Sequence, residues 1–218
     1  IMAPAKLTLS LEIVGVRADG YHLIKAEMVS LDLTDVLDIT KGRGIEVFAN
    51  YPYQPWEFPE ETVIPEDGNN LVATALNLIE REAAVRINKK IPPGTGLGGG
   101  SSDAAAILRW GRYKDLECAA GIGADVPFCL EVGRALVSGV GESIKKMNYK
   151  KQDFTLLIPP FSCSTKAVYE HWDYLGGPKG DHGNDLEPAA VSLYPELGKW
   201  RDLLGDTTGV QPRLAGSG

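Results

Sequence analysis

The residues best suited to chemistry are concentrated in one run, Ile91-Pro92-Pro93-Gly94-Thr95-Gly96-Leu97-Gly98-Gly99-Gly100-Ser101-Ser102-Asp103-Ala104. Five glycines fall within seven positions, 94–100, and two serines follow before an alanine-rich stretch. Glycine reaches φ > 0 freely and lets a backbone approach a ligand with no Cβ between them. A helix starting near Ser101 or Ser102 adds unpaired N–H groups and the positive end of its dipole. A glycine-rich turn feeding a helix N-terminus is an anion site, so the run reads as a phosphate-binding loop. It is not a Walker A loop, which needs Lys and Ser/Thr after its last glycine; here Ser-Ser-Asp follows Gly100. Gly94, Gly96 and Gly99 do satisfy the Gly-x-Gly-x-x-Gly dinucleotide spacing. That fingerprint needs a preceding strand and an acidic ribose ligand about twenty residues on. Pro92 and Pro93 stand where the strand should end, a poor place for proline, and no apolar second strand leads to Glu117. Asp103 would repel phosphates if it faced them; turned away within the first helical turn, it is favoured by the dipole.

The elements that must carry this loop are legible in outline. Leu7, Leu9, Leu11 and Ile13 alternate with polar or small neighbours over residues 6–16, the period of a half-buried strand. Asp19-Gly20 signals a turn, and Met28 to Ile39 reads as a second extended segment. Four prolines (Pro52, Pro55, Pro59, Pro65) make Tyr51 to Asp67 an irregular loop, which Trp56 and Phe58 are expected to anchor. Asn70 can cap a helix whose apolar face is Leu71, Val72, Ala75, Leu76 and Ile79. The helix after the loop should stop at Gly111. Arg134 to Val140 and Phe154 to Ile158 read as strands, and Thr165 to Trp172 as a short helix. The polar stretch Asn148–Gln152 marks the expected boundary between a domain 1–149 and a domain 150–218.

Bulk properties narrow the partners. The 218 residues are 44% hydrophobic and 23% charged, ordinary for a globular protein with room for one or two cores. A net charge of −7 argues against a polynucleotide partner. Lys89-Lys90 and Lys145-Lys146 are too short for a nucleic-acid patch and read as solvated faces. Three cysteines, Cys118, Cys129 and Cys163, are odd in number and lack Cys-x-x-Cys spacing, which suits a reducing cytoplasm rather than a disulfide framework or zinc site. The sequence shows no signal-peptide pattern and no apolar run near membrane-spanning length.

The segment from Pro92 to Ala105 resembles the phosphate loop of the GHMP kinases, small-molecule kinases named for galactose, homoserine, mevalonate and phosphomevalonate. Four other segments agree in order: Ala3-Pro4-Ala5-Lys6-Leu7-Thr8-Leu9, Ala18-Asp19-Gly20-Tyr21-His22, Gly123-Ala124-Asp125-Val126-Pro127-Phe128 and Ala215-Gly216-Ser217-Gly218. Gly139-Val140-Gly141-Glu142 and Asn184-Asp185-Leu186-Glu187-Pro188 add support. The triple glycine before Ser-Ser-Asp-Ala-Ala is most similar to the branch that phosphorylates 4-diphosphocytidyl-2-C-methyl-D-erythritol in non-mevalonate isoprenoid synthesis.

The resemblance implies an α/β (α+β) fold of two lobes, a ribosomal-S5-domain-2-like N-terminal lobe that binds ATP and a ferredoxin-like C-terminal lobe. It implies ATP and Mg²⁺ as cofactors, a small-molecule acceptor, no nucleic acid or membrane partner, and a monomer or homodimer. Pro93, Gly94, Gly96, Leu97, Gly98, Gly99, Gly100, Ser101 and Ser102 would hold the phosphates. Asp125 matches the family's catalytic aspartate, and Lys6 the lysine beside it. Read without the resemblance, Asp125 is a turn aspartate bonding its own backbone and Lys6 a snorkelling strand lysine. An ammonium beside a carboxylate weakens it as a base, so Asp125 is expected to orient the hydroxyl and take its proton late, which a loose transition state allows. Thr8 stands where related kinases usually carry Asn, a shorter donor at the acceptor. Tyr21 and His22 match the cytidine-recognition pair, Tyr169 an aromatic opposite, and Gly216 and Ser217 a motif folding back to the loop. Ser102 is a candidate Mg²⁺ ligand, Glu142 reads as a strand-end charge, and His171 and His182 receive no role. The resemblance also implies a longer helical pair between Trp110 and Gly123 and further strands and a helix after Gly218, expected to belong to residues outside this stretch. Competing readings are a GHMP kinase for homoserine, mevalonate or a sugar, an NAD-dependent oxidoreductase, and a nucleotide-binding module without turnover.

Overall fold

The computed structural model describes residues 1–51 and 64–218. Its framework is a mixed sheet of six strands: β1 Met2–Val16, β2 His22–Thr40, β3 Gly44–Ala49, β4 Ala84–Lys89, β5 Arg134–Gly139 and β6 Ser143–Lys146. β2 is the spine. One edge pairs with β1 along most of its length, while the other pairs with β5 through Ile24–Val29 and with β4 through Val36–Thr40. All pairings are antiparallel except β3 with β4. The helices are α1 Leu71–Leu78, α2 Gly99–Trp110, α3 Leu116–Ala120, α4 Val126–Glu131, α5 Thr165–Tyr174, α6 Glu187–Leu193 and α7 Pro195–Thr208.

Most expected elements form, some with moved limits. β1 and β2 run beyond the stretches read from alternation, because each pairs with the other and the pairing carries through weakly patterned residues. α1 starts as expected, with the Asn70 side chain accepting from Val72 N–H at 2.9 Å. α2 stops at Gly111 but begins at Gly99, with Gly98 at the cap in a left-handed conformation (φ 68°) rather than a serine. Its residues Ser102 to Leu108 are all buried, and the alanines let β1, α1 and α4 pack closely around it.

Three expectations fail for tertiary reasons. Phe154–Ile158 pairs with no strand among the described residues. Residues 150–218 contribute α5, α6 and α7 and no strand. Lys89 is not solvated: it is 2% exposed, between two carboxylates. Trp56, Phe58, Pro52, Pro55 and Pro59 lie outside the described residues. The Gly-x-Gly-x-x-Gly reading loses its context as well. The loop does follow a strand, β4, but β5, which the chain reaches from α2 through α3 and α4, pairs with β2 and β6 and not with β4, so no adjacent parallel pair forms across the loop. Glu117 sits on α3.

β1 does not keep one alternation throughout. Its pairing with β2 shifts between Pro4 and Lys6, between Thr8 and Ser10 and between Ile13 and Gly15, and at the second of these β1 carries one extra residue. A bulge inserts one residue and exchanges the faces beyond it. Ala3, Leu11 and Ile13 therefore reach the main core, whereas Leu7 joins a smaller cluster with Ala5, Ile91 and Leu97. Strict alternation would set Lys6 and Thr8 opposite Leu11; the shifts place all three on one cleft.

Candidate active site

That cleft, a cavity of roughly 840 Å³, gathers Lys6, Thr8, Tyr21, His22, Gly96, Gly98, Ser101, Asp125, Tyr169, Gly216 and Ser217. Lys6 is held from below by the loop, its backbone N–H donating to the Leu97 carbonyl at 2.9 Å. Its ammonium lies 3.1 Å from Asp125 Oδ2 and donates to Thr8 Oγ1 at 3.3 Å. The lysine side chain is 9% exposed and the aspartate 29%, so the pair sits at the wall of the cleft with its carboxylate toward the opening. Asp125 caps α4 without extending the chain at Val126. Val126 opens the helix and Pro127 follows in its first turn, where a missing N–H costs nothing, which overrides the extended bias expected before proline.

The loop closes over this pair at very short range. Gly94, Gly96 and Gly98 take φ of 71°, 69° and 68°. A Cβ at Gly98 would stand 2.8 Å from Lys6 Cγ and 3.7 Å from Asp125 Oδ2. A Cβ at Gly96 would stand 2.8 Å from the Gly218 carbonyl, which shows how tightly the C-terminal glycine motif folds against the loop. Leu97 is buried between these glycines and anchors the loop's underside, while Gly94 and Leu97 line a separate apolar pocket with Leu7 and Trp200. Pro93 is half-buried, and Gly100 is exposed on the first turn of α2. Ser102 is fully buried and donates its hydroxyl proton to the Pro4 carbonyl at 2.7 Å, which ties α2 to β1. Asp103 turns away from the loop to Lys89 Nζ at 2.7 Å, and burial pushes its carboxyl up to about 7 against the pull of that ammonium.

The far wall is aromatic. His22 packs against Tyr169 with ring centroids 4.7 Å apart and meets Trp172 edge-on at 5.5 Å. Its Nε2 lies 2.8 Å from Asp173 Oδ1. Burial, and then the negative charge of Asp125, push the Tyr169 phenol up to about 12, so it stays a neutral hydrogen-bonding ring. The His22–Tyr169 spacing leaves no room for a base between those two rings; Tyr21, 64% exposed at the Arg17–Tyr21 turn, presents exposed aromatic surface beside Arg17, whose guanidinium carbon lies 6.0 Å from its ring centroid.

Several residues not assigned a role from sequence fix this wall. Asn184 donates to the carbonyls of Leu214 at 3.0 Å and Gly216 at 2.7 Å, while Thr165 and Ser217 share a hydroxyl bond of 2.8 Å. Asp185 accepts from Ile13 N–H at 2.8 Å, so the Asn-Asp-Leu-Glu-Pro run latches the C-terminal motif to β1. Glu142 accepts from Val140 N–H at 2.7 Å and so stabilises a turn rather than merely ending a strand. Gly141 in that turn would bring a Cβ within 2.3 Å of the Ala124 carbonyl, so it packs on the backbone presenting Asp125. Trp172 and Asp173 lie one helical turn beyond Tyr169, a spacing that could have flagged them. His171 bonds Ser192 and His182 faces Glu187, both away from the cleft. Among the described residues no cluster of three His, Cys, Asp or Glu side chains could hold a metal, and no helix is long and apolar enough to cross a membrane.

The chain is similar in sequence and fold to known proteins. The sequence profile of the GHMP kinases N terminal domain matches residues 70–131, from the Asn70 cap to the end of α4. The chain is 36% identical over 190 residues to the 4-diphosphocytidyl-2-C-methyl-D-erythritol kinase of Thermoanaerobacter pseudethanolicus, covering 80% of this chain and 62% of that protein. Against the enzyme of the same name from Clostridium kluyveri it is 41% identical over 190 residues, covering 79% and 64%. The chain thus spans less than two thirds of the length of these relatives. A crystal structure of 4-(cytidine 5'-diphospho)-2C-methyl-D-erythritol kinase superposes with a TM-score of 0.67 at 27% identity, covering 100% of this chain and 87% of that one. Residues 70–131 thus match the GHMP kinases N terminal domain, and the chain is similar in sequence and in fold to 4-diphosphocytidyl-2-C-methyl-D-erythritol kinases.

Proposed function

We propose that the cleft transfers the γ-phosphoryl group of ATP to the 2-hydroxyl of 4-diphosphocytidyl-2-C-methyl-D-erythritol, releasing ADP, in the cytoplasm. The observation that carries this reading is the Lys6–Asp125 pair lying directly beneath Gly98, in one cavity with the aromatic wall of Tyr21, His22 and Tyr169. The names of the relatives support the acceptor, since a homoserine, mevalonate or sugar acceptor has no base for such a wall to receive.

Phosphoryl transfer needs positioning and charge stabilisation more than covalent help. Backbone N–H groups of Gly96 to Ser101 and the start of α2 would receive the phosphates. Lys6 holds Asp125 by a charge-assisted contact and offsets negative charge on the moving phosphoryl group. Asp125, hydrogen-bonded to the acceptor hydroxyl, orients its lone pair along the line of attack and accepts its proton late. Thr8 shares the Lys6 ammonium and stands at the acceptor side of that pair. Mg²⁺ entering with ATP would supply charge neutralisation between the phosphates, and it ordinarily keeps several waters and few protein ligands. Asp125, beside Gly98, is the carboxylate within reach of the loop.

The test is ADP release with ATP, Mg²⁺ and the cytidylyl substrate, with homoserine and mevalonate in parallel. Turnover confined to the cytidylyl substrate is expected. Turnover with homoserine or mevalonate instead would refute the acceptor assignment, and NADH binding without ATP binding would refute the kinase reading.

A further inference from the structure

Both ends of the glycine loop are tied to one buried ion cluster that the proposed chemistry does not use. Asp35, on β2, accepts through Oδ1 from the backbone N–H of Lys90 at 2.5 Å and of Ile91 at 2.8 Å, where the chain enters the loop. Its Oδ2 meets the Lys89 ammonium. The same ammonium donates to Asp103 Oδ2 at 2.7 Å, in the first turn of α2, where the loop has just ended. A Cβ on Gly99 would stand 3.1 Å from Lys89 Nζ, so the ammonium lies directly behind the first helical residue.

Stability is a poor explanation for this arrangement. Asp35, Lys89 and Asp103 are 0%, 2% and 2% exposed, and desolvating three charges can outweigh the attraction gained. Apolar residues of similar volume often do as well or better. What the cluster provides is geometry. Between its two attachment points the chain must hold three glycines at positive φ, and glycine loses more conformational freedom on folding than any other residue. One ammonium bridging the entering strand to the departing helix fixes the span that those glycines must close.

We infer that Asp35, Lys89 and Asp103 are positioning residues that brace the two ends of loop 91–99 in the shape that receives phosphate, so that nucleotide affinity depends on them. The identity of the loop's ligand rests on the kinase reading; the brace does not.

The experiment compares the parent chain with Lys89→Met and Asp103→Asn, by amide hydrogen exchange without nucleotide and by calorimetric titration with ATP. Asp103→Asn is nearly isosteric and leaves Lys89 balanced by Asp35, so it tests the brace by itself if Lys89→Met does not fold. Exchange roughly tenfold faster and confined to residues 90–102, with protection kept in the rest of the sheet, is the expected result. It should accompany a rise of roughly tenfold in the ATP dissociation constant. Unchanged exchange at 90–102 in Asp103→Asn would overturn the inference. Uniform acceleration across the whole sheet would also overturn it, because that marks a general stability role. Local loosening in a chain whose parent form binds no ATP would keep the brace and remove the kinase reading.

Discussion

Replacing Gly98 by alanine tests whether the loop must sit directly on the Lys6–Asp125 pair. Two effects combine. At φ 68° an alanine is in the left-handed region, which costs roughly 1–2 kcal/mol for a residue with a Cβ. In a chain of 218 residues each kcal/mol lowers Tm by roughly 2–4 °C, so strain alone predicts a fall of roughly 2–8 °C. The second effect is local. The new methyl carbon would stand 2.8 Å from Lys6 Cγ and 3.3 Å from Lys6 Cε, so the lysine stem must move away from the loop. The ammonium at its end lies 3.1 Å from Asp125, and a displacement of about an ångström in such a pair can cost on the order of 100-fold in rate. Gly100→Ala is the stability control, because a Cβ there meets only Leu71 Cδ1 at 3.7 Å and its φ is not positive. Its Tm should hold or rise, as alanine is the better helix former. Thermal melts and steady-state kinetics of ADP release read the two effects separately. A Gly98→Ala protein with a depressed Tm but a kcat within about threefold of the parent would refute the claim that Lys6 is pinned by the loop.

Asp125→Asn keeps the side chain's shape but removes its charge, so kcat should fall by roughly 100-fold or more while the ATP dissociation constant moves little; equal losses in both would contradict the hydroxyl-orienting role. The Asp103 carboxyl is raised in the fold to about 7, so its contribution to stability is fully present below its unfolded value near 4 and is lost as pH rises through about 7. Asp103→Asn should therefore gain Tm relative to the parent between about pH 5 and pH 8, and a constant difference would disprove this. Burial pushes the Cys129 and Cys163 thiols up to about 12 and about 11, whereas Cys118 is exposed. Near pH 8 a thiol reagent should label Cys118 quickly, half-buried Cys163 more slowly and buried Cys129 only on unfolding; a fast Cys129 would argue against the packing around α4. Asn184→Ala orphans the carbonyls of Leu214 and Gly216, at roughly 1–3 kcal/mol each, so Tm should drop by roughly 4–24 °C if the latch holds the C-terminal motif as described.

What the sequence determined by itself is local. The glycine spacing specified a turn that only residues free to take positive φ can make, and the structure places Gly94, Gly96 and Gly98 there. The Asn70 cap and the Gly111 stop were readable because a helix terminus is satisfied by its own neighbours. The resemblance to the GHMP kinases was readable because its motifs are contiguous and keep their order. The tertiary structure decided everything that depends on partners distant along the chain. Lys89 reads as a solvated lysine until Asp35 and Asp103 arrive on β2 and α2 and make its burial tolerable. Phe154–Ile158 has the composition of a strand but pairs with no other strand among the described residues. Lys6 and Thr8 share the cleft with Leu11 through one extra residue in β1 between Thr8 and Ser10, which alternation along the sequence cannot show, because a bulge is set by the hydrogen bonds of the neighbouring strand rather than by the side chains it redirects.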